Sequence, residues 1–207
     1  MEAMRDLEIW LSDMCDRPLP GGVAAAAVGA AMGAALIAKA LRVTLKRRQL
    51  AASDEAVLAE VLNLTRTQRV ALCRLADADV EAYQAVLDTC SLADSHPSRR
   101  RAWQSATEVP VAVAEVCRQL LDRVPDVVPQ CWSGVCVDFE IGSQFLQAGM
   151  RAGVLAAEAN LGLGGAAVDG APFRVRLEAL SQADRKDRGG SDDTRLSGCD
   201  CLQGSQA

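Results

Sequence analysis

Apolar positions recur at three- and four-residue spacing along most of this chain, and no stretch alternates apolar with polar in the manner of a strand. Met4, Leu7, Trp10, Leu11 and Met14 give residues 2–15 one apolar stripe, and the prolines and glycines of "DRPLPGG" end it. A second helix is expected from Val23 to Arg48. Its first two-thirds are almost wholly Ala and Gly, and Gly29 and Gly33, four residues apart, share a face that lets another backbone come close. A long third helix starts near Ser53, its expected N-cap, and carries Val57, Val61, Leu64, Leu72, Leu75 and Val86 on one side. After the loop "LADSHPSR" comes a helix from Arg100 to Arg123, with Pro110 expected to end or kink it. The break "VPDVVPQCWSG" precedes a helix from Val137 to Leu161. The turn "GLGGAAVDGAP" then leads to a short one over Phe173–Ala183.

The pattern predicts an all-α bundle of five to six helices with long central members. Residues 1–183 form the helical domain, and residues 184–207, with little to bury, form a disordered tail. Composition agrees: half the residues are apolar but only 3% are aromatic, so the core is built from Ala, Val and Leu in closely packed helices. A net charge of −5 with no broad basic face argues against a nucleic-acid partner. Residues 23–38 are uncharged, but the run is short and rich in Ala, so a buried helix is expected rather than a membrane span. The N-terminus lacks the apolar core of a signal peptide. With it goes the expectation of a cytoplasmic protein whose eight cysteines stay reduced. Cys199 and Cys201 have no neighbouring His or Cys pair that would make a zinc site, and no metal is expected.

Candidate chemistry is sparse. The single histidine, His96, sits in a polar loop and is expected to be solvated, which leaves a histidine-based triad without a base. "GLGLGGAAVDG" follows a helix, not a strand, and is expected to be a helix-ending turn and no dinucleotide loop. In "LADADVEAYQAVLD", Asp77, Glu81 and Asp88 fall on overlapping faces that suit a solvated surface. Asp79 shares its face with Leu72, Leu75 and Val86, and a carboxylate turned to an apolar side must find a partner, a ligand or a proton. Asp138 follows a loop and starts a helix, so it reads either as an N-cap or as a site residue.

In this order, "PGG" with a small-residue helix ending "GAAL", "VTLKRRQL", "LADADVEAYQAVL", "ATEVPVAVAEVC", and "VDFEIG" leading to "AEANL" resemble the cyclodeaminase/cyclohydrolase family. That family comprises the cyclodeaminase half of formiminotransferase-cyclodeaminase and the stand-alone methenyltetrahydrofolate cyclohydrolases. The resemblance spans about residues 5 to 165. It implies an all-helical subunit working as a homodimer, with a tetrahydrofolate derivative bound beside the glycine-rich loop and no cofactor beyond that carrier. It implies either hydrolysis of 5,10-methenyltetrahydrofolate to 10-formyltetrahydrofolate or cyclodeamination of 5-formiminotetrahydrofolate. Hydrolysis is preferred because no formiminotransferase domain accompanies these residues.

Carried across position by position, the loop falls on Pro20, Gly21 and Gly22, and the basic pair that would grip the folate carboxylates falls on Arg47 and Arg48. The acidic segment falls on Asp77, Asp79 and Glu81, and the loop-to-helix aspartate on Asp138. Asp138 is the first candidate for general base or cation stabiliser, and Asp79 the second. The chain departs from the family pattern at Val23 and Ala24, where Gly and Ser are usual, at Arg42, Lys46 and Trp132, and at Val137. Val23 and the lost serine are expected to narrow and dry the loop, which leaves a degenerate folate-binding dimer as the alternative to an active enzyme.

Overall fold

The computed structural model describes residues 2–47 and 49–189, and every regular element within them is helical. The helices are α1 (Glu2–Asp16), α2 (Gly22–Arg47), α3 (Ala52–Asp88), α4 (Pro97–Leu121), the single turn α5 (Val124–Val127), α6 (Cys136–Gly164) and α7 (Ala171–Gly189). Four of them make the bundle: α2 packs on α3 and α6, and α4 packs on the same two from the other side. Among the described residues α2 is the one helix long and apolar enough to cross a membrane, and it lies inside this bundle between α3 and α6.

The core explains the small side chains. Ala24, Ala27, Ala30, Ala31, Gly33, Ala34 and Ala40 are all buried, and Ile37 and Leu41 supply the bulk between them. Helices α2 and α6 cross with their backbones in contact at Gly33 and Gly142. A methyl group added at Gly33 would lie 2.6 Å from the Gly142 carbonyl oxygen and 2.7 Å from Phe145 Cβ. Gly29, expected to share this role, meets no atom of its own chain and faces outward. Gly149 against Ala30 and Gly153 against the Pro110 carbonyl continue the close approach along α6, so one helix of small residues lets two neighbours draw in.

Two local expectations change, and a third residue gains a role. Pro110 neither ends nor breaks α4, which runs from Pro97 to Leu121. A proline cannot donate to the carbonyl one turn back, here that of Ala106, and Asn160 Nδ2 on α6 donates to that oxygen at 2.6 Å instead. The cap of α3 is Ala51, with no side-chain bond, and not Ser53. His96 is exposed as expected but caps α4, its Nδ1 accepting the Ser98 N–H at 3.2 Å.

Helix α7 continues to Gly189, past the expected start of the tail at Asp184. Phe173, Leu177 and Leu180 are buried, Arg151 donates to Asp184 at 2.7 Å, and Arg176 binds both Glu108 and Glu115 on α4. Residues 190–207, with Cys199 and Cys201, lie outside the described residues.

Asn160→Ala is expected to destabilise the fold by about 1–3 kcal/mol, the cost of an orphaned buried carbonyl. In a Pro110→Ala background, where residue 110 regains its N–H, the same change is expected to cost little. Urea unfolding of the four proteins measures the difference, and equal costs in both backgrounds would contradict this pairing.

Candidate functional site

The helix α2 begins at Gly22, just after the Leu19–Pro20 bond, which is cis. Its first amides point out of the helix and need acceptors. One finds Asp79: the Ala24 N–H donates to Asp79 Oδ2 at 3.1 Å, from a helix 55 residues further along the chain. Asp79 is 7% exposed, so the carboxylate that periodicity turned to the apolar side of α3 is indeed inside. Burial pushes its carboxyl above the ordinary value of 3.8, and the Ala24 N–H pulls the other way without cancelling the effect.

Gly21 and Gly22 border this carboxylate's helix end. Neither has a positive φ, and an added Cβ at either would meet nothing of the chain within 4 Å. The fold of the subunit therefore makes no demand for glycine at these two positions. What their smallness leaves room for lies outside the subunit. Val23 and Ala24 do not crowd this space: Ala24 is buried and Val23 packs onto the core, contrary to the expected narrowing.

Asp77 and Glu81 point away from Asp79, since residues two apart on a helix face opposite ways. Both are exposed. Glu81 lines a cleft of about 550 Å³ between α3 and α4, together with Asp88, Thr89, Ser98, Arg101 and Ser105. That cleft lies on the edge of the bundle opposite the α2–α6 pair.

The remaining candidates gather at the far end of α2. Asp138 is in the first turn of α6, whose cap residue is Val135, so Asp138 is not the N-cap. Its Oδ2 lies 2.6 Å from Lys39 Nζ, the two side chains 30% and 53% exposed. The Thr44 hydroxyl, fully buried, accepts the Trp132 N–H at 3.0 Å and thereby fixes the strand of chain leading into α6. The Arg47 guanidinium covers the Trp132 ring at 5.5 Å. Val137 is exposed. Arg48 lies outside the described residues.

The chain thus carries two polar centres, one at each end of α2. Ala24 and Lys39, the respective neighbours of Asp79 and Asp138, stand about 22 Å apart along the helix at 1.5 Å per residue. Reading by motif grouped these residues without this separation, and it passed over Lys39 as a partner. The available signal for Lys39 was that it is the first charge to interrupt the apolar run.

The sequence profile of the formiminotransferase-cyclodeaminase family matches residues 14–164, a span that contains both centres. The methenyltetrahydrofolate cyclohydrolase of Methylorubrum extorquens strain AM1 is 32% identical over 146 residues, 67% of this chain and 70% of that protein. The crystal structure of formiminotetrahydrofolate cyclodeaminase from Thermotoga maritima shares the fold. Its TM-score is 0.72 at 20% identity, over 84% of this chain and 85% of that one.

Because Asp79 holds its proton more tightly folded than unfolded, the native state binds more protons just above pH 3.8. The contribution of Asp79 to stability therefore falls as pH rises from there through its raised folded value, and is constant above it. Asp79→Asn keeps an oxygen for the Ala24 N–H and removes the buried charge. The variant is expected to be at least as stable as the parent at pH 7 and to lose that falling limb, as urea midpoints across pH would record.

Proposed function

Since the chain belongs to the formiminotransferase-cyclodeaminase family, we propose that it is a cytoplasmic, homodimeric enzyme that hydrolyses 5,10-methenyltetrahydrofolate to 10-formyltetrahydrofolate. The likeness to a protein named for that activity supports this choice of reaction. The observation that carries the mechanism is Asp79, a buried carboxylate with a raised pKa at the glycine-lined start of a helix.

The methenyl bridge is a cation, already activated toward water, so the reaction calls for a base and for a place to move protons. Water adds to the bridging carbon and gives up a proton, forming a tetrahedral carbon between N5 and N10. The hydroxyl on that carbon then loses its proton and becomes the formyl C=O as the C–N5 bond breaks, N5 takes a proton, and the formyl group remains on N10, with one proton released overall. No metal or further cofactor is part of the proposal.

Asp79 suits the proton-transfer role better than Asp138, which reverses the order drawn from sequence. Burial raises its pKa, which makes the Asp79 carboxylate a stronger base than an exposed one. Asp138 already has its charge answered by Lys39 at 2.6 Å, which fits a group that binds and orients substrate. The open space over Gly21 and Gly22 fits the close approach of a flat ring system. Arg47, exposed and stacked on Trp132, fits a contact with the glutamate carboxylates of the folate.

Purified protein is expected to speed the loss of the methenyl compound's near-ultraviolet absorbance. Asp79→Asn is expected to lower kcat by about 10²–10⁴-fold, the usual worth of a general base. Lys39→Ala is expected to raise KM with a smaller effect on kcat. Wild-type protein that leaves the methenyl compound at the blank rate, but releases ammonia from 5-formiminotetrahydrofolate, would replace hydrolysis by cyclodeamination.

A further inference from the structure

Small residues on facing helices do two different things in this molecule. Between α2 and α6 they bring main chains into contact. Between α3 and α4 they line a cleft of about 550 Å³, with Ala78, Ala82 and Ala85 on the α3 side and Ala102 on the α4 side. A space of that size accommodates a small organic molecule. It lies on the face of α3 that carries Glu81, away from Asp79, and the proposed reaction does not use it.

The polar groups around this cleft carry both charges and leave them unmet. Glu81 on α3 is exposed and makes no hydrogen bond or ion pair among the described residues. Arg101 on α4 is exposed too and forms no ion pair among the described residues. It has one long hydrogen bond, Nη2 donating to Ser98 Oγ at 3.4 Å. Asp88 stands at the other end of the α3 wall, where its Oδ1 accepts from the neutral Gln84 Nε2 at 2.8 Å. Seven residues separate the two acids, about 10 Å along the helix at 1.5 Å per residue. Opposite charges that line one cleft without meeting leave room for a ligand that answers both.

The Asp88 end of the cleft is fixed by its own hydrogen bonds. Thr89 Oγ1 donates to the Ala85 carbonyl at 2.7 Å. Arg99 Nη1 donates to the carbonyls of Cys90 at 2.6 Å and Leu92 at 2.8 Å, which pins the connection between α3 and α4 to the first turn of α4. A preformed space costs little ordering when it is filled.

We propose that this cleft binds a free basic α-amino acid, arginine or lysine. Its carboxylate meets the Arg101 guanidinium, and its α-ammonium and side-chain cation meet Glu81 and Asp88. The methylene stem between them runs along the alanines of α3.

Charge selects this class of ligand. Two carboxylates against one guanidinium leave the cleft with one negative charge in excess, and a basic amino acid carries one positive charge in excess. A neutral amino acid would leave an acid of α3 unmet, and a diamine would leave Arg101 unmet. A dicarboxylic amino acid would set its second carboxylate against Glu81 or Asp88. The same excess disfavours the carboxylates of a folate, so the cleft is not a second seat for the substrate proposed above.

Equilibrium dialysis of the purified protein against radiolabelled L-arginine tests the assignment. Saturable binding of one arginine per chain is expected at millimolar concentration or below. Arg101→Ala and Glu81→Gln, both at exposed positions, are each expected to weaken binding about tenfold, the contribution of one hydrogen bond to a charged group. Neither is expected to move the melting temperature of the unliganded protein. Agmatine, which lacks the carboxylate, and L-norleucine, which lacks the side-chain cation, are expected to compete about tenfold less well than L-arginine. L-Argininamide keeps both cations but has no carboxylate, as in the first residue of a peptide, and is expected to compete as poorly as agmatine.

No saturable binding up to about 10 mM arginine would overturn the proposal. So would binding that both substitutions leave unchanged, or agmatine, argininamide or norleucine competing as well as arginine. Catalytic activity is not read in this experiment, so its outcome is independent of the reaction proposed above.

Discussion

Backbone contact between α2 and α6 at Gly33 and Gly142 is the constraint on which the rest of the molecule depends. It holds the two helices closer than any side chain would allow, and the alanines along α2 extend that closeness to α3. With so little side-chain bulk, the position of every element is set by how nearly main chains can approach. That in turn fixes the first turn of α2 against Asp79 and its last turns against Asp138. The Ala/Gly run is thus neither a linker nor filler. It sets the spacing of the two polar centres.

A second coupling joins sequence motifs that look unrelated. Pro110 in "ATEVP" leaves the Ala106 carbonyl without its helical donor, and Asn160 in "AEANL" supplies one from the neighbouring helix. Gly153 then admits the Pro110 carbonyl beside it. Together these features let a proline sit mid-helix in a buried position without a break. They also register α4 against α6, which indirectly holds α6 in place for Asp138.

The helices themselves were legible from periodicity, because each buries one stripe and the stripes are long. The burial of Asp79 was legible for the same reason, since its helical neighbours are apolar. Ends were less so: Ser53 has the chemistry of a cap, yet Ala51 occupies that position, and Pro110 looks like a stop until Asn160 is known. Helix α7 outran its expected end because charged side chains, Arg151 with Asp184 and Arg176 with two glutamates, tie down a segment poor in apolar residues. The separation of Asp79 from Asp138 was not legible. Periodicity says which way a residue faces, but not which end of a neighbouring helix it meets.

In the proposed reaction substrate sits against the start of α2, beside Asp79. The most direct measurement is a crystal structure with 5-formyltetrahydrofolate bound. The pteridine is expected over Gly21 and Gly22, within reach of Asp79. Ligand lodged instead in the cleft between α3 and α4, beside Glu81 and Arg101, would contradict it.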